Sequence, residues 1–118
     1  MVKDNSVRFI DYEYSGYNYP EFDIAHLFCE MGIDYDYDNN DFKLMEESTE
    51  PYERFFCLEY CEQDEEKADQ LYNRLTLFKS SAHLMWGLWG KIMAKNPDNV
   101  EFDYTAFSQF RLSLIHSA

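Results

Sequence analysis

The stretch from Asp64 to Lys95, DEEKADQLYNRLTLFKSSAHLMWGLWGKIMAK, constrains the fold more than any other part of the sequence. Leu71, Leu75, Phe78, Ala82, Met85 and Trp89 recur at three- and four-residue steps, which puts one apolar stripe along a single long helix. Asn96 and Pro97 stop it, because proline has no N–H for the next turn and its ring clashes with the preceding one. The rest of the chain supplies shorter elements. Phe22, Ala25, His26, Phe28 and Cys29 share a helical period, with Asp23 near the start. Pro51 opens a segment carrying Phe55, Phe56, Leu58, Tyr60 and Cys61, and Asp103 to His116 reads as a last amphipathic helix with Tyr104, Phe107, Phe110 and Leu114 on one face. At the N-terminus, Val2 and Val7–Ile10 read as two strands around a turn at Lys3-Asp4-Asn5-Ser6, so that Met1 falls inside a β-hairpin. The acidic run IDYDYDNNDF, Ile33 to Phe42, reads as a loop. The expected fold is mainly α with a short N-terminal β-hairpin. Residues 1–20 carry the hairpin and an acidic loop, and residues 21–118 are helical around one core.

Charge narrows the function. The net charge of −13, from 23 acids against 10 Lys and Arg, argues against nucleic acid or an anionic membrane as partner. It suits a cationic ligand, or Mg²⁺ bridging to an anion, although most of the acids serve solubility. No apolar run approaches the roughly 20 residues of a membrane span, and positions 1–20 lack the pattern of a signal peptide. Three cysteines, with Cys57 and Cys61 one helical turn apart, read as reduced thiols of a cytoplasmic protein.

Two groups of residues could carry chemistry. Asp11 follows Phe9-Ile10, and Glu13 lies two residues on, in the segment VRFIDYEYSGYNYPEFD. Mg²⁺ takes a few hard oxygens and completes its shell with phosphate oxygens, which this acid pair could begin; a solvated loop is the alternative. Trp86 and Trp89 are the only tryptophans and lie three apart on the long helix. With a third ring such as Tyr14 or Phe107, and Glu30, they could cage a quaternary ammonium, which offers no hydrogen-bond donor and is held through ring faces. Ordinary core packing is the alternative.

Four other patterns fail. Asp34 to Asp41 has the acids of a calcium loop, but Asn39 stands where the turn needs glycine and Met45 where a bidentate Glu belongs. His26, His83 and His116 have no zinc spacing, and Ser80-Ser81 beside His83 makes no triad. There is no glycine-rich phosphate loop.

FIDYEYSGYNYPEFDIAHLFCEM, HLMWGLWGKIMAK and VEFDYTAFSQFRL together resemble the C-terminal lobe of choline/ethanolamine kinases, a branch of the protein-kinase-like fold. The resemblance covers essentially the whole chain and implies phosphorylation of choline or ethanolamine by ATP, in phospholipid biosynthesis. It matches Asp11 and Glu13 to the Mg²⁺-binding acids and Asp23 to a carboxylate bracing the catalytic loop. Tyr14, Glu30, Trp86 and Trp89 match the residues around the choline ammonium. Phe107 stands where the family often has tyrosine, and Pro20 where it often has arginine. The resemblance further implies that the catalytic-loop Asp, its companion Asn, the glycine-rich loop and the ATP-gripping Lys belong to sequence upstream of Met1. On that reading the chain is inactive alone and depends on the remainder of the kinase or on a partner chain, with a homodimer as one form of association. A non-catalytic helical module that binds a trimethylammonium group or a protein is the reading from a different class.

Overall fold

The computed structural model describes residues 2–98 and 100–115, so Met1 of the expected hairpin and His116 of the expected last helix lie outside the described residues. The elements run β1 (Val2–Lys3), β2 (Ser6–Val7), α1 (Pro20–Met31), β3 (Ile33–Asp36), β4 (Asp41–Leu44), α2 (Glu50–Tyr60), α3 (Glu65–Ala94) and α4 (Tyr104–Ser113). The fold is mostly helical, with two small antiparallel two-stranded sheets.

α3 is the spine. The Asp64 side chain accepts from Lys67 N–H at 3.1 Å, capping the first turn, and Glu65 and Glu66 there and Lys91 in the last turn complement the helix dipole. α1, α2 and α4 all pack against it. Toward its N-terminal half, Ala68, Leu71 and Leu75 meet Ile24, Ala25 and Phe28 of α1 and Cys57 of α2, and this is the apolar core. α2 is tied down by a buried carboxylate. Glu53 pairs with the half-buried Lys79 of α3 and accepts from the Thr49 hydroxyl at 2.6 Å, so its buried charge is not left unpaired. The apolar stripe read from the sequence holds at Leu71, Leu75 and Ala82, whereas Met85 is 42% exposed.

Toward its C-terminal half, α3 carries α4 at close range. A Cβ at Gly90 would lie 3.0 Å from the Phe107 ring, 3.1 Å from Ser108 Cβ and 3.2 Å from the Tyr104 carbonyl oxygen. Ser108 donates its hydroxyl proton to the Gly87 carbonyl at 2.7 Å, satisfying a polar group buried between the helices.

Two expectations are corrected. The N-terminal hairpin is shorter than expected: Asp4 and Asn5 both take positive φ, at 52° and 62°, which closes a two-residue turn and limits pairing to Val2↔Val7 and Lys3↔Ser6. Phe9 and Ile10 are therefore not strand, and are 79% and 56% exposed. The acidic run after α1 is not a loop. Ile33–Asp36 and Asp41–Leu44 pair in register, Ile33↔Leu44 and Tyr35↔Phe42, with the acids pointing away from the packed face. Ile33 is buried and Phe42 sits 5.8 Å from the Phe107 ring, so burial of the alternating apolar set outweighs the weak strand preference of the aspartates.

Because the neighbours of Gly90 include backbone and a Cβ, they cannot yield as a flexible side-chain end would. Gly90→Ala is expected to lower the urea midpoint, since about 1–3 kcal/mol of overpacking exceeds the roughly 1 kcal/mol gained in helix propensity. An unchanged or raised midpoint would show that α4 shifts without cost.

Candidate functional site

Beyond the core, α1, β3, α3 and α4 leave a cleft of ≈ 500 Å³ open at the surface. α3 sends Trp86 and Trp89 into it, three residues apart and edge to face at 5.2 Å. Trp89 in turn meets Phe107 at 5.9 Å and Tyr104 at 5.5 Å, both rings from α4 and both edge-on. Tyr35 of β3 lies near-parallel to Phe107 at 6.4 Å, and Phe102, just before α4, lies 4.8 Å from Tyr104. Both tryptophans are half-buried and neither belongs to the apolar core cluster. The two indoles thus form a wall, whereas Phe107, 6% exposed, is also packed between α4 and α3.

The carboxylate beneath the rings is Glu30, in the last turn of α1. Its Oε1 accepts from Arg111 Nη1 at 2.5 Å and its Oε2 from the Tyr35 hydroxyl at 2.9 Å; Arg111 Nη1 also donates to the Tyr35 oxygen at 3.1 Å. Arg111 is 1% exposed. A guanidinium cannot shed its proton, so its burial requires the Glu30 carboxylate. Burial, with the adjacent Glu30 charge, pushes the Tyr35 hydroxyl upward, so it remains a neutral donor. On the same side, the Trp86 indole Nε1–H donates to His26 Nε2 at 2.6 Å. Burial is also the main reason that His26 titrates below its ordinary 6.5, with Arg111 adding to the effect against Glu30 and Asp23.

Of the residues singled out from sequence, Glu30, Trp86, Trp89 and Phe107 line this one cleft. Tyr14 does not line it: the ring packs edge-on against Trp86 at 5.9 Å and is 74% exposed. Asp11 and Glu13 lie on the exposed segment between β2 and α1, and Asp11 has a left-handed φ of 71°, which aspartate tolerates better than most residues. Among the described residues, no group of three or more His, Cys, Asp or Glu side chains is placed to hold a metal ion. The donor chemistry of Asp11 and Glu13 fits an ion that draws its other oxygens from water and phosphate, as Mg²⁺ does, and does not fit a closed protein cage. Asp23 is exposed in the first turn of α1.

Sequence reasoning missed Tyr35, Tyr104, Arg111 and His26. Tyr35 was hidden by the acids around it, though the alternation Ile33-x-Tyr35 and Phe42-x-Leu44 was a signal for the strand that presents it. Arg111 and His26 carried no local signal, since their partners lie far along the chain.

A family profile described as choline/ethanolamine kinase matches residues 1–116. The chain is 36% identical over 115 residues to a protein named probable choline kinase 3 of Arabidopsis thaliana, covering 91% of this chain and 32% of that one. It is 33% identical to ethanolamine kinase 1 of Homo sapiens, covering 94% and 26% respectively. With an ethanolamine kinase of Drosophila melanogaster the identity is 31%, covering 91% and 21%. The chain therefore spans a third or less of the length of these curated relatives. No solved structure matches.

The ion pair at the base of the cleft has unequal partners, since the Arg111 side chain is 1% exposed and that of Glu30 is 36% exposed. Stranding a buried charge costs about 3–5 kcal/mol, and a carboxylate in contact with water much less. Glu30→Ala is thus expected to destabilise the chain more than Arg111→Met does, measured by urea unfolding. The reverse order would mean that Glu30, not Arg111, is the charge that depends on its partner.

Proposed function

The chain belongs to the choline/ethanolamine kinase family, and we propose that it forms part of an ATP-dependent choline kinase, supplying the alcohol pocket and an acid pair for Mg²⁺. The observation that carries the reading is the wall of Trp86, Trp89 and Phe107 standing over Glu30. A trimethylammonium group has no N–H and is attracted to the negative faces of aromatic rings at short range. Glu30 supplies local negative charge while the buried Arg111 is neutralised beneath it, and the net charge of −13 draws cations to the chain.

The preference for choline over ethanolamine rests on the acceptors. A primary ammonium needs three. In this cleft both Glu30 oxygens and His26 Nε2 already accept a hydrogen bond, from Arg111, Tyr35 and Trp86 respectively. A quaternary ammonium asks for none of them. Ethanolamine kinase is the second reading, favoured by the relatives of that name, and requires Glu30 to accept from the ligand as well.

In this assignment the chain is the C-terminal helical lobe of a protein-kinase-like fold. Asp11 and Glu13 would hold Mg²⁺, which would supply positive charge to the phosphoryl group being transferred. The aromatic wall fixes the ammonium end of the alcohol so that its hydroxyl is presented toward the acid pair, and most of the catalysis is positioning. Asp23 braces the catalytic loop. That loop, with its proton-accepting Asp, and the ATP-gripping groups come from the remainder of the kinase or from a partner chain, so the 118 residues alone turn over no substrate.

Two measurements test this. Titrating the chain with choline and with ethanolamine by calorimetry is expected to show choline bound more tightly, if weakly, and Trp89→Ala is expected to weaken choline at least about tenfold, the order of a desolvated cation–π contact. Tighter ethanolamine binding, or an unaffected Trp89→Ala, would move the ammonium out of this cleft. In the full-length kinase, Asp11→Ala is expected to abolish turnover with choline, and retained turnover would remove the metal from that loop.

A further inference from the structure

In the reading above His26 counts only as an occupied acceptor, yet it is the only hydrogen-bond partner found for the indole N–H of Trp86 among the described residues. An imidazole nitrogen can accept that bond only if it carries a lone pair. His26 must then be neutral, with its proton on Nδ1. The ring lies between Phe22, 6.3 Å away with planes 13° apart, and Trp86, 5.6 Å away with planes 19° apart, so it has little freedom to turn and offer its other nitrogen.

We propose that His26 positions Trp86 for the ammonium ligand, and that cation binding in the cleft and proton binding at His26 exclude one another. Protonation places an N–H on Nε2, facing the indole N–H across a distance suited to one shared proton, and the bond becomes a clash of two donors. Trp86 must then leave its place beside Trp89. The imidazolium also adds a positive charge to a wall meant for a cation. The proposal rests on the reading of the cleft as an ammonium pocket.

The charges around His26 decide where the exchange happens. On α1, Asp23 and Glu30 favour the imidazolium, with Glu30 Oε1 3.8 Å from Nε2. Glu30 is already engaged by Arg111 of α4 and by the Tyr35 hydroxyl of β3. Arg111 opposes the imidazolium, as does a charge on His83 of α3, which burial holds down at about 4. Burial and Arg111 prevail, so the neutral acceptor is the resting form at neutral pH, and the exclusion operates on the acid side of 6.5.

The chain provides its own reporter, because its two tryptophans are the two in the cleft. Their emission is expected to follow one proton titration with a midpoint below 6.5, kept in His83→Asn and lost in His26→Gln, whose amide oxygen reaches the place of Nε2 and does not titrate. Imidazole ¹⁵N shifts at pH 8 are expected to show His26 protonated at Nδ1 only. The apparent dissociation constant for choline is expected to rise about tenfold per pH unit below that midpoint, as for a ligand competing with one proton, and to be flat in His26→Gln. His26→Phe, flat but without an acceptor, is expected to bind choline more weakly at every pH. A titration that survives in His26→Gln, an Nε2–H tautomer, or a choline affinity insensitive to acid would each overturn the proposal. If the emission titrates as expected but no choline binds at any pH, the pocket's assignment falls and the coupling of His26 to Trp86 stands.

Discussion

The burial of Arg111 is the constraint on which the rest of this structure hangs. A guanidinium that is 1% exposed has lost its water, and the loss is offset only where a carboxylate meets it with good geometry. Glu30 meets one nitrogen, Nη1, from the last turn of α1, and Tyr35 joins the pair from β3, while the buried Nε and Nη2 find no partner among the described residues. One buried ion therefore links α4, α1 and the second hairpin, which also touch directly, β4 on α4 and β3 on α1, while both helices pack on α3. The links are short and directional, so α4 sits in one register on α3, and Gly87 and Gly90 give it room to come close.

The division of labour along α3 follows. One half of the helix closes the apolar core with α1 and α2, reinforced by the Glu53–Lys79 pair, and this part holds the fold. The other half is left with a cleft, because the small residues that let α4 approach alternate with two indoles too large to be packed away beside it. The tryptophans and the aromatic rings of α4 are consequently set edge to face around open space, with Tyr35 near-parallel to Phe107. The lining is mostly aromatic, and its one carboxylate, Glu30, already accepts from Arg111 and Tyr35. On the proposed reading, this wall would take a soft, donor-free cation.

Much of this was legible residue by residue. The helices α1, α2 and α3 announced themselves through local signals: Asp23 near the start of the first, Pro51 in the first turn of the second, and apolar steps of three and four. Trp86, Trp89, Phe107 and Glu30 could be marked as one ligand set from composition and resemblance. The second hairpin could not be seen so easily, since its aspartates speak for a turn and only Ile33, Tyr35, Phe42 and Leu44 speak for strands. Phe9 and Ile10 misled in the opposite sense, because β propensity counts for little where no partner strand lies opposite.

By itself, the sequence determined the long helix and its stop, the acidic character that argues against nucleic acid and anionic membranes, and the identity of the rings available in the cleft. All of these depend on neighbours within a few turns or on composition. Tertiary structure alone decided that Arg111 is buried on Glu30, that Tyr35 and Tyr104 complete the wall, that Tyr14 stands outside it, and that Trp86 leans on His26. The physical reason is separation: Glu30 and Arg111 are 81 residues apart and His26 and Trp86 are 60 apart, so no local periodicity can register either pair. Only the packing of α1 and α4 on a common spine brings them within hydrogen-bond reach.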